Sequence, residues 1–520
     1  MSTELFNVSE YLLDRRVDAG DGDRVALTGV GGELTYAQLL DTVRRTAAVL
    51  TDLGLRPEQR MLMVVADSPE FVTLYLAAMR IGAVPVPVST MLPFDDIADL
   101  LRDSRAPVIA FSPQYGEAAR AAASHAREVR VQIVTTGGPG ALDDLVRGAA
   151  PSDTVYSTQA DSPAFWLYTS GTTGMPKGAM HRHGSVRVVC ETYGQQVLGI
   201  RPDDRTLSAA KAFFAYGLGN SLLFPLSVGA TAVLEPAPAR PDALVERVRS
   251  YGATLFFAGP TFFANMLRAE LPADSLSGVR LAVSAGEALP AGLYQRWTDR
   301  FGVDIIDGIG MTETLHIFLS NQPGRVKAGT TGVAVPGYEL RIVDESGADV
   351  AEGQPGSLMV RAQSAATGYW SRYAASQRVF QGEWVRTGDT YVRDEDGYYA
   401  CLGRTGDMLK SSGIWVSPAE VETRLLAHDA VAQAVVVAGN DPDGLEKPVA
   451  FVVLSTGASA TEEELITFCR DALPAFKRPR RVVFVDAYPT TATGKIRRVE
   501  LRETASGVLS SDEPLAAAGA

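Results

Sequence analysis

Short apolar, β-branched runs alternate with amphipathic stretches along most of this chain. Met61–Ala66 (MLMVVA) predicts a strand, the stretch through Leu74–Arg80 a helix, and Ala83–Ser89 (AVPVPVS) the next strand. The same order returns with Ala230–Pro236 (ATAVLEP), a helix around Leu244–Arg249, and Ala253–Gly259 (ATLFFAG). Strands alternating with helices imply βαβ units and largely parallel sheets. From about Thr330 the pattern changes to short strands between Gly-rich turns, as in Gly337–Val350 and Gly356–Ala362. That change predicts an antiparallel sheet or small barrel. After Gly403 the alternation resumes with a helix around Pro418–Leu426, strands at Ala430–Gly439 and Pro448–Leu454, a helix from Thr461 and a strand at Arg481–Ala487. These form a separate small α/β unit, and the Ala/Ser/Gly-rich stretch from Ser506 reads as frayed.

Composition adds limits. The chain has 520 residues, 46% hydrophobic and 21% charged, so a large core is attainable and wholesale disorder is excluded. The net charge of −13 argues against nucleic-acid binding as the main role, while leaving room for a local basic site. Three widely spaced cysteines, Cys190, Cys401 and Cys469, form neither a disulfide framework nor a zinc cluster and fit a reducing cytosol. The N-terminal stretch meets acidic residues before any apolar run, so no signal peptide is visible. Ala212–Leu234 comes nearest to a membrane span, but Asn220 and Pro225 interrupt it, and a buried loop and helix is expected there. These features predict a cytoplasmic protein with no membrane and no nucleic-acid partner.

The most informative segment is Trp166–His181, WLYTSGTTGMPKGAMH. An apolar strand delivers Thr169, Ser170, Gly171, Thr172, Thr173 and Gly174, followed by Lys177 and Gly178. Glycines let backbone N–H groups face an anion, hydroxyls donate to its oxygens, and the lysine adds positive charge: a phosphate cradle. It is not a Walker A loop, because Pro176 and Gly178 stand where Gly and Ser or Thr would be needed.

YTSGTTGMPKG resembles the signature loop of the adenylate-forming superfamily, which includes acyl- and aryl-CoA synthetases, peptide-synthetase adenylation domains and beetle luciferases. Further segments resemble that superfamily's motifs in the same order: Ser284–Leu289 (SAGEAL), Asp307–Thr314 (DGIGMTET), Trp384–Asp389 (WVRTGD), Gly403–Glu422 and Pro489–Arg497 (PTTATGKIR). The resemblance implies an α/β fold with a large N-terminal domain, 1–404, of two βαβ-type subdomains plus a small β-barrel-like one. A small mobile α/β C-terminal domain, 405–520, would follow, frayed from about 506. It implies ATP, Mg2+ and coenzyme A, the last as co-substrate. A carboxylate is a poor electrophile, and attack of its oxygen on the α-phosphorus of ATP gives an acyl-AMP, a step that needs positioning and charge stabilisation.

By the same resemblance, Lys495 reaches the carboxylate and α-phosphate, and Thr312 and Glu313 meet phosphate and magnesium, Glu313 being the metal contact. Gly286 and Glu287, with Asp307, Gly308 and Ile309, lie on the nucleotide side. Asp389 accepts from the ribose hydroxyls, and Arg404 holds ribose or phosphate. Lys211–Leu226 and Thr312–Asn321 resemble the benzoate-CoA ligase branch, which implies an aryl pocket at Ala215, Tyr216, Gly310 and His316. Two aromatics with small neighbours make a flat apolar slot, with Tyr216 and His316 offering polar tips. His125, His181, His183 and His428 show no ligand spacing. At the hinge, Gly406, followed by Asp407, stands where the superfamily usually carries Asp or Lys. Lys410, Ser412, Gly413 and Trp415 match the pantetheine-tunnel segment, and the basic run Lys477–Arg481 is a candidate for the phosphates of CoA. The expected substrate is a small aromatic carboxylic acid, with CoA or a carrier-protein phosphopantetheine as thiol acceptor. A one-step half-enzyme and a ligand-binding relative are the alternatives, as monomer or homodimer.

Overall fold

Buried β-branched runs with no polar face need cover on both sides, and they pair in parallel here. The computed structural model describes residues 4–169, 176–269, 271–411, 414–442, 444–490 and 496–510, with the backbone alone at 410, 411, 414 and 415. Contact density divides the chain into two units, Met1–Leu340 with Val360–Arg386, and Arg341–Met359 with Thr387–Ala520.

In the first unit a nine-stranded sheet runs in the order Val333–Ala334, Ile317–Ser320, Ile305–Gly310, Leu281–Ala285, Leu255–Ala258, Arg205–Ser208, Thr231–Leu234, Val25–Gly29 and Gly32–Thr35. Its interior pairs are parallel and its outer pairs antiparallel. A second, all-parallel sheet orders Val84–Pro87, Arg60–Val64, Val108–Phe111 and Val131–Val134. The runs at 61–66, 83–89, 230–236 and 253–259 thus form strands as expected, and the predicted helices appear as Pro69–Arg80 and Pro241–Tyr251. Helices Pro241–Tyr251 and Ala291–Phe301 pack around Trp297, Phe256 and Phe263. Each ends at a glycine with positive φ, Gly252 and Gly302, where a side chain would be strained.

Ala212–Leu234 contains one continuous helical run, Ala215–Leu218, the π-helical Gly219–Leu223 and Phe224–Val228, before the strand Thr231–Leu234, and most of it is buried. Among the described residues no helix is long and apolar enough to cross a membrane. All three cysteines are free thiols.

The short strands beyond Thr330 form a five-stranded sheet, Glu339–Val343, Gly356–Arg361, Trp384–Arg393 and Phe380–Gln381, with Tyr399–Arg404 also paired to Trp384–Arg393. In the second unit, Val431–Asn440 and Glu446–Leu454 pair antiparallel, and Arg481–Phe484 joins the latter in parallel. Helix Pro418–Leu426 has the predicted bounds. Thr461 caps helix Glu462–Arg470 in a reciprocal capping box with Glu464, which explains why that helix starts there. The last helix, Arg498–Ser510, remains regular four residues past Ser506, because Leu501, Ala505 and Val508 are buried.

Candidate active site

The strand Pro163–Thr169 returns as Lys177–Arg182 in an antiparallel hairpin, and Thr169 pairs with Lys177 across its open end. Ser170, Gly171, Thr172, Thr173 and Gly174 lie outside the described residues. The hairpin is tied to the turn Thr312–Thr314 by two routes. His181, stacked on Phe165, donates Nε2–H to the Thr312 carbonyl at 2.8 Å. Burial holds its imidazole down at about 4, so it stays neutral. The second route is the segment 364–370. Thr367 and Trp370 donate to the Met180 and Gly178 carbonyls, and Met180 donates back to Gly368. From the same segment Ser364 Oγ donates to the Thr314 carbonyl at 2.8 Å, and Ala366 N–H to the Glu313 carbonyl at 2.8 Å.

Glu313 is buried, and the Tyr369 hydroxyl donates to its Oε1. Lys177 Nζ stands 5.6 Å from the centroid of the Tyr369 ring. Lys177 from one motif and Thr312 and Glu313 from another are therefore linked through His181 and Tyr369. Among the described residues no group of three or more His, Cys, Asp or Glu side chains is placed to hold a metal. A single buried carboxylate still fits Mg2+, which commonly takes one or two protein carboxylates and completes its shell with phosphate oxygens and water.

Asp307 is the parallel register partner of Ser284, and its carboxyl is buried. Burial pushes its pKa up to about 8, and among the described residues its Oδ1 is buried without a hydrogen bond. Gly308 and Ile309 continue the strand, and a Cβ on Gly308 would stand 2.9 Å from Ile317 Cγ2. Gly286 and Glu287 are exposed on the loop beyond Ser284, and Glu287 Oε2 accepts from Thr261 Oγ1 at 3.0 Å.

Three residues of the expected aryl pocket, Tyr216, Gly310 and His316, are neighbours. The His316 ring lies 4.5 Å from Phe224, 5.4 Å from Tyr193 and 5.6 Å from Tyr216, centroid to centroid. Nε2 donates to the Tyr216 carbonyl at 3.3 Å, Nδ1 is buried without a hydrogen bond, and burial lowers the imidazole to about 3. Glycines make the room. A Cβ on Gly310 would stand 2.6 Å from the His316 carbonyl carbon, and one on Gly219 2.3 Å from His316 Cδ2. Leu315, with φ 70° and ψ −45°, turns the chain just before His316, a conformation that costs a side-chain-bearing residue about 1–3 kcal/mol. Ala215 begins the short helix that carries Tyr216.

The Tyr216 hydroxyl differs from the expectation. It donates to the Val283 carbonyl at 2.9 Å, with Ala258 O at 3.4 Å, so its donor is committed to the sheet. Sequence reasoning also missed Asp67, which anchors the start of this segment: both of its carboxylate oxygens accept from Ala212 N–H at 3.1 Å. Burial raises Asp67 to about 6, opposed by the Lys211 charge and by that hydrogen bond.

In the second unit Asp389 and Arg404 are register partners, and Arg404 Nε lies 3.1 Å from Asp389 Oδ1. Arg404 Nη1 also donates to the Thr387 carbonyl at 3.2 Å. The turn that follows is clamped by the last helix, because Arg502 Nη2 donates to Gly406 O at 2.7 Å and to Asp407 Oδ1 at 2.5 Å. Arg498 adds Asp407 Oδ2 at 3.7 Å and Glu422 at 2.9 Å. Lys410 and Trp415 pair by backbone in a two-stranded ribbon, while Ser412, Gly413 and Lys495 lie outside the described residues. The basic run is largely spoken for: Lys477 pairs with Glu420, Arg481 with Glu462, and Arg478 donates to main-chain carbonyls.

A model of the AMP-binding enzyme family matches residues 13–370, and one of the AMP-binding enzyme C-terminal domain matches 420–495. The chain belongs to the AMP-binding enzyme family. It is 42% identical over 515 residues to a benzoate–CoA ligase of Thauera aromatica, covering 96% of each chain. It is 41% identical over 524 residues to a 4-hydroxybenzoate–CoA/benzoate–CoA ligase of Rhodopseudomonas palustris, covering 98% of this chain and 96% of that one. A solved benzoate CoA ligase from Burkholderia xenovorans superposes with a TM-score of 0.90 at 42% identity, covering 96% of this chain and all of the other. The α/β architecture with a larger N-terminal and a smaller C-terminal part is thus that of an AMP-binding enzyme.

Proposed function

We propose that this AMP-binding enzyme activates a benzoate-like aromatic carboxylic acid with ATP and transfers the aroyl group to coenzyme A as a thioester. A carboxylate oxygen attacks the α-phosphorus, the bond from that phosphorus to the bridging oxygen breaks, and pyrophosphate leaves. The CoA thiol then attacks the carbonyl carbon of the aryl-AMP, AMP departs, and the thiol proton passes to solvent. The first step is an in-line displacement at phosphorus and the second an acyl substitution at the carbonyl carbon, and both depend on positioning and charge stabilisation rather than a protein nucleophile.

The observation that supports this reading is the aromatic cluster of His316 with Tyr193, Tyr216 and Phe224, in which the absence of side chains at Gly219 and Gly310 lets His316 in. Near full-length similarity to benzoate- and hydroxybenzoate–CoA ligases supports the same acid class. In this reading Ala215, Tyr216, Gly310 and His316 line the acid pocket. Thr169, Ser170, Gly171, Thr172, Thr173, Gly174 and Lys177 take the phosphates, while Gly286, Glu287, Asp307, Gly308 and Ile309 take the nucleotide. Asp389 and Arg404 bind the ribose, and Lys495 is the catalytic cation. Thr312 and Glu313 hold phosphate and Mg2+, which neutralises phosphate charge when bound. Residues 1–404 and 405–520 act as the two domains about Gly406, and Lys410, Ser412, Gly413 and Trp415 border the thiol route. The cytoplasm is the compartment we assign, because ATP and CoA are found there.

AMP release over a panel of aryl and aliphatic acids tests the reading, run with CoA, with a phosphopantetheinylated carrier protein and with neither. Benzoate or a small substituted benzoate with CoA is expected to give the fastest release. Release with the carrier protein alone would move the assignment to an aryl-AMP ligase. ATP–pyrophosphate exchange without any AMP release on thiol addition would identify a one-step enzyme. No ATP consumption with any acid would leave a ligand-binding relative.

A further inference from the structure

Glu313 is a short acidic side chain on a tight turn, and its orientation must be imposed by neighbours. Three of its turn's groups are held by the segment 364–370: the Thr314 carbonyl by Ser364, the Glu313 carbonyl by Ala366, and the Glu313 carboxylate by Tyr369. The first two fix the backbone, and only Tyr369 reaches the carboxylate. The Tyr369 hydroxyl thus restrains one carboxylate oxygen, Oε1. The Tyr369 ring is itself immobilised, with Phe380 packed edge-on at 5.3 Å and its backbone N–H donating to Ser376 Oγ at 2.9 Å. Its face carries the Lys177 ammonium at 5.6 Å, a distance at which a cation is attracted by an aromatic ring. One side chain therefore touches both the carboxylate and the cation of the phosphate hairpin.

We propose that Tyr369 is a positioning residue that sets the Glu313 carboxylate for a divalent cation shared with the phosphates of ATP, while its ring seats Lys177 beside them. The proposal rests on the assignment of Glu313 as the metal contact. Partners that orient a metal ligand typically contribute 10–100-fold to metal affinity. Replacing Tyr369 by phenylalanine keeps the ring, its packing and the Lys177 contact, and removes only the hydroxyl. The test titrates Mn2+ into the full chain saturated with α,β-methylene-ATP, a probe that cannot release pyrophosphate, and follows bound metal by electron paramagnetic resonance. In parallel, thermal melting checks that the fold persists.

Tyr369→Phe is expected to weaken Mn2+ binding about tenfold. In a Glu313→Gln background, where the metal contact is already lost, the same change should have no further effect, which is the signature of coupling between the two residues. Unchanged affinity in Tyr369→Phe, with Glu313→Gln clearly weakened, overturns the proposal while leaving the metal assignment intact. Equal losses in both backgrounds also overturn it, since Tyr369 would then act through general packing. Glu313→Gln with wild-type affinity overturns the metal assignment itself and the proposal with it.

Discussion

Gly219 lies directly against His316: a Cβ placed on the glycine would stand 2.3 Å from His316 Cδ2 and 2.6 Å from Nε2. The imidazole cannot yield easily, because Phe224 packs edge-on at 4.5 Å and Nε2 is bonded to the Tyr216 carbonyl. Gly219→Ala is therefore expected to displace His316 and to destabilise by about 1–3 kcal/mol, as overpacking of a filled interior does. The KM for the aromatic acid should rise while that for ATP stays near wild type. Denaturant titration with steady-state kinetics on each substrate checks this, and an unchanged acid KM would refute the placement of His316 at the acid pocket.

The hydroxyl of Tyr216 supports the scaffold. Because it donates to the Val283 carbonyl at 2.9 Å, Tyr216→Phe leaves buried carbonyls short of a donor, a loss of about 1–3 kcal/mol. The ratio of kcat/KM for benzoate over 4-hydroxybenzoate should stay the same, since the ring remains and the donor was already committed. A large change in that ratio would show that the hydroxyl reads the substrate ring.

These two residues also mark where the sequence was legible and where it was not. The parallel sheets and helix Pro418–Leu426 follow from local patterns, because strand alternation and helix caps are written within a few residues of the element they specify. Motif residues were legible for the same reason: glycines, hydroxyls and charges cluster in short windows. Their supports were not. Tyr369 is 56 residues from Glu313, Tyr216 67 from Val283, and Asp67 145 from Ala212. Nothing near Asp67 separates an anchor for a distant loop from an ordinary residue before a Ser-Pro helix start. Such pairings exist only once the sheets have brought the segments together.

Asp307 makes a pH prediction with a definite sign. The folded carboxyl keeps its proton up to about pH 8, while the unfolded one releases it near 3.8. Between those values the folded state binds more protons, so this group's contribution to stability declines as pH rises, by up to about 1.4 kcal/mol per pH unit. Asp307→Asn removes the titration. Its stability relative to wild type should improve steadily from pH 5.5 to about 8 and then level off. Urea titrations at three pH values measure this, and a constant difference would mean that Asp307 ionises as an ordinary carboxylate.

Gly406 offers a cleaner experiment than most hinge positions, because a Cβ there meets nothing within 4 Å and its φ lies outside the left-handed region. Gly406→Asp should therefore fold as well as wild type, with a gain of about 0.4–1 kcal/mol from the less flexible unfolded chain. Its effect belongs to the turn. Arg502 already donates to the Gly406 carbonyl and the Asp407 carboxylate, so a second carboxylate at 406 competes for the same guanidinium. We expect the two half-reactions to respond differently: pyrophosphate exchange without thiol, which reports adenylation, and single-turnover transfer from preformed aryl-AMP to CoA. Changes in one rate but not the other would support a role for residue 406 in biasing the proposed hinge toward one half-reaction. If both rates match wild type, the clamp from Arg502 and Arg498 on Asp407 sets the turn unaided and the missing side chain is immaterial.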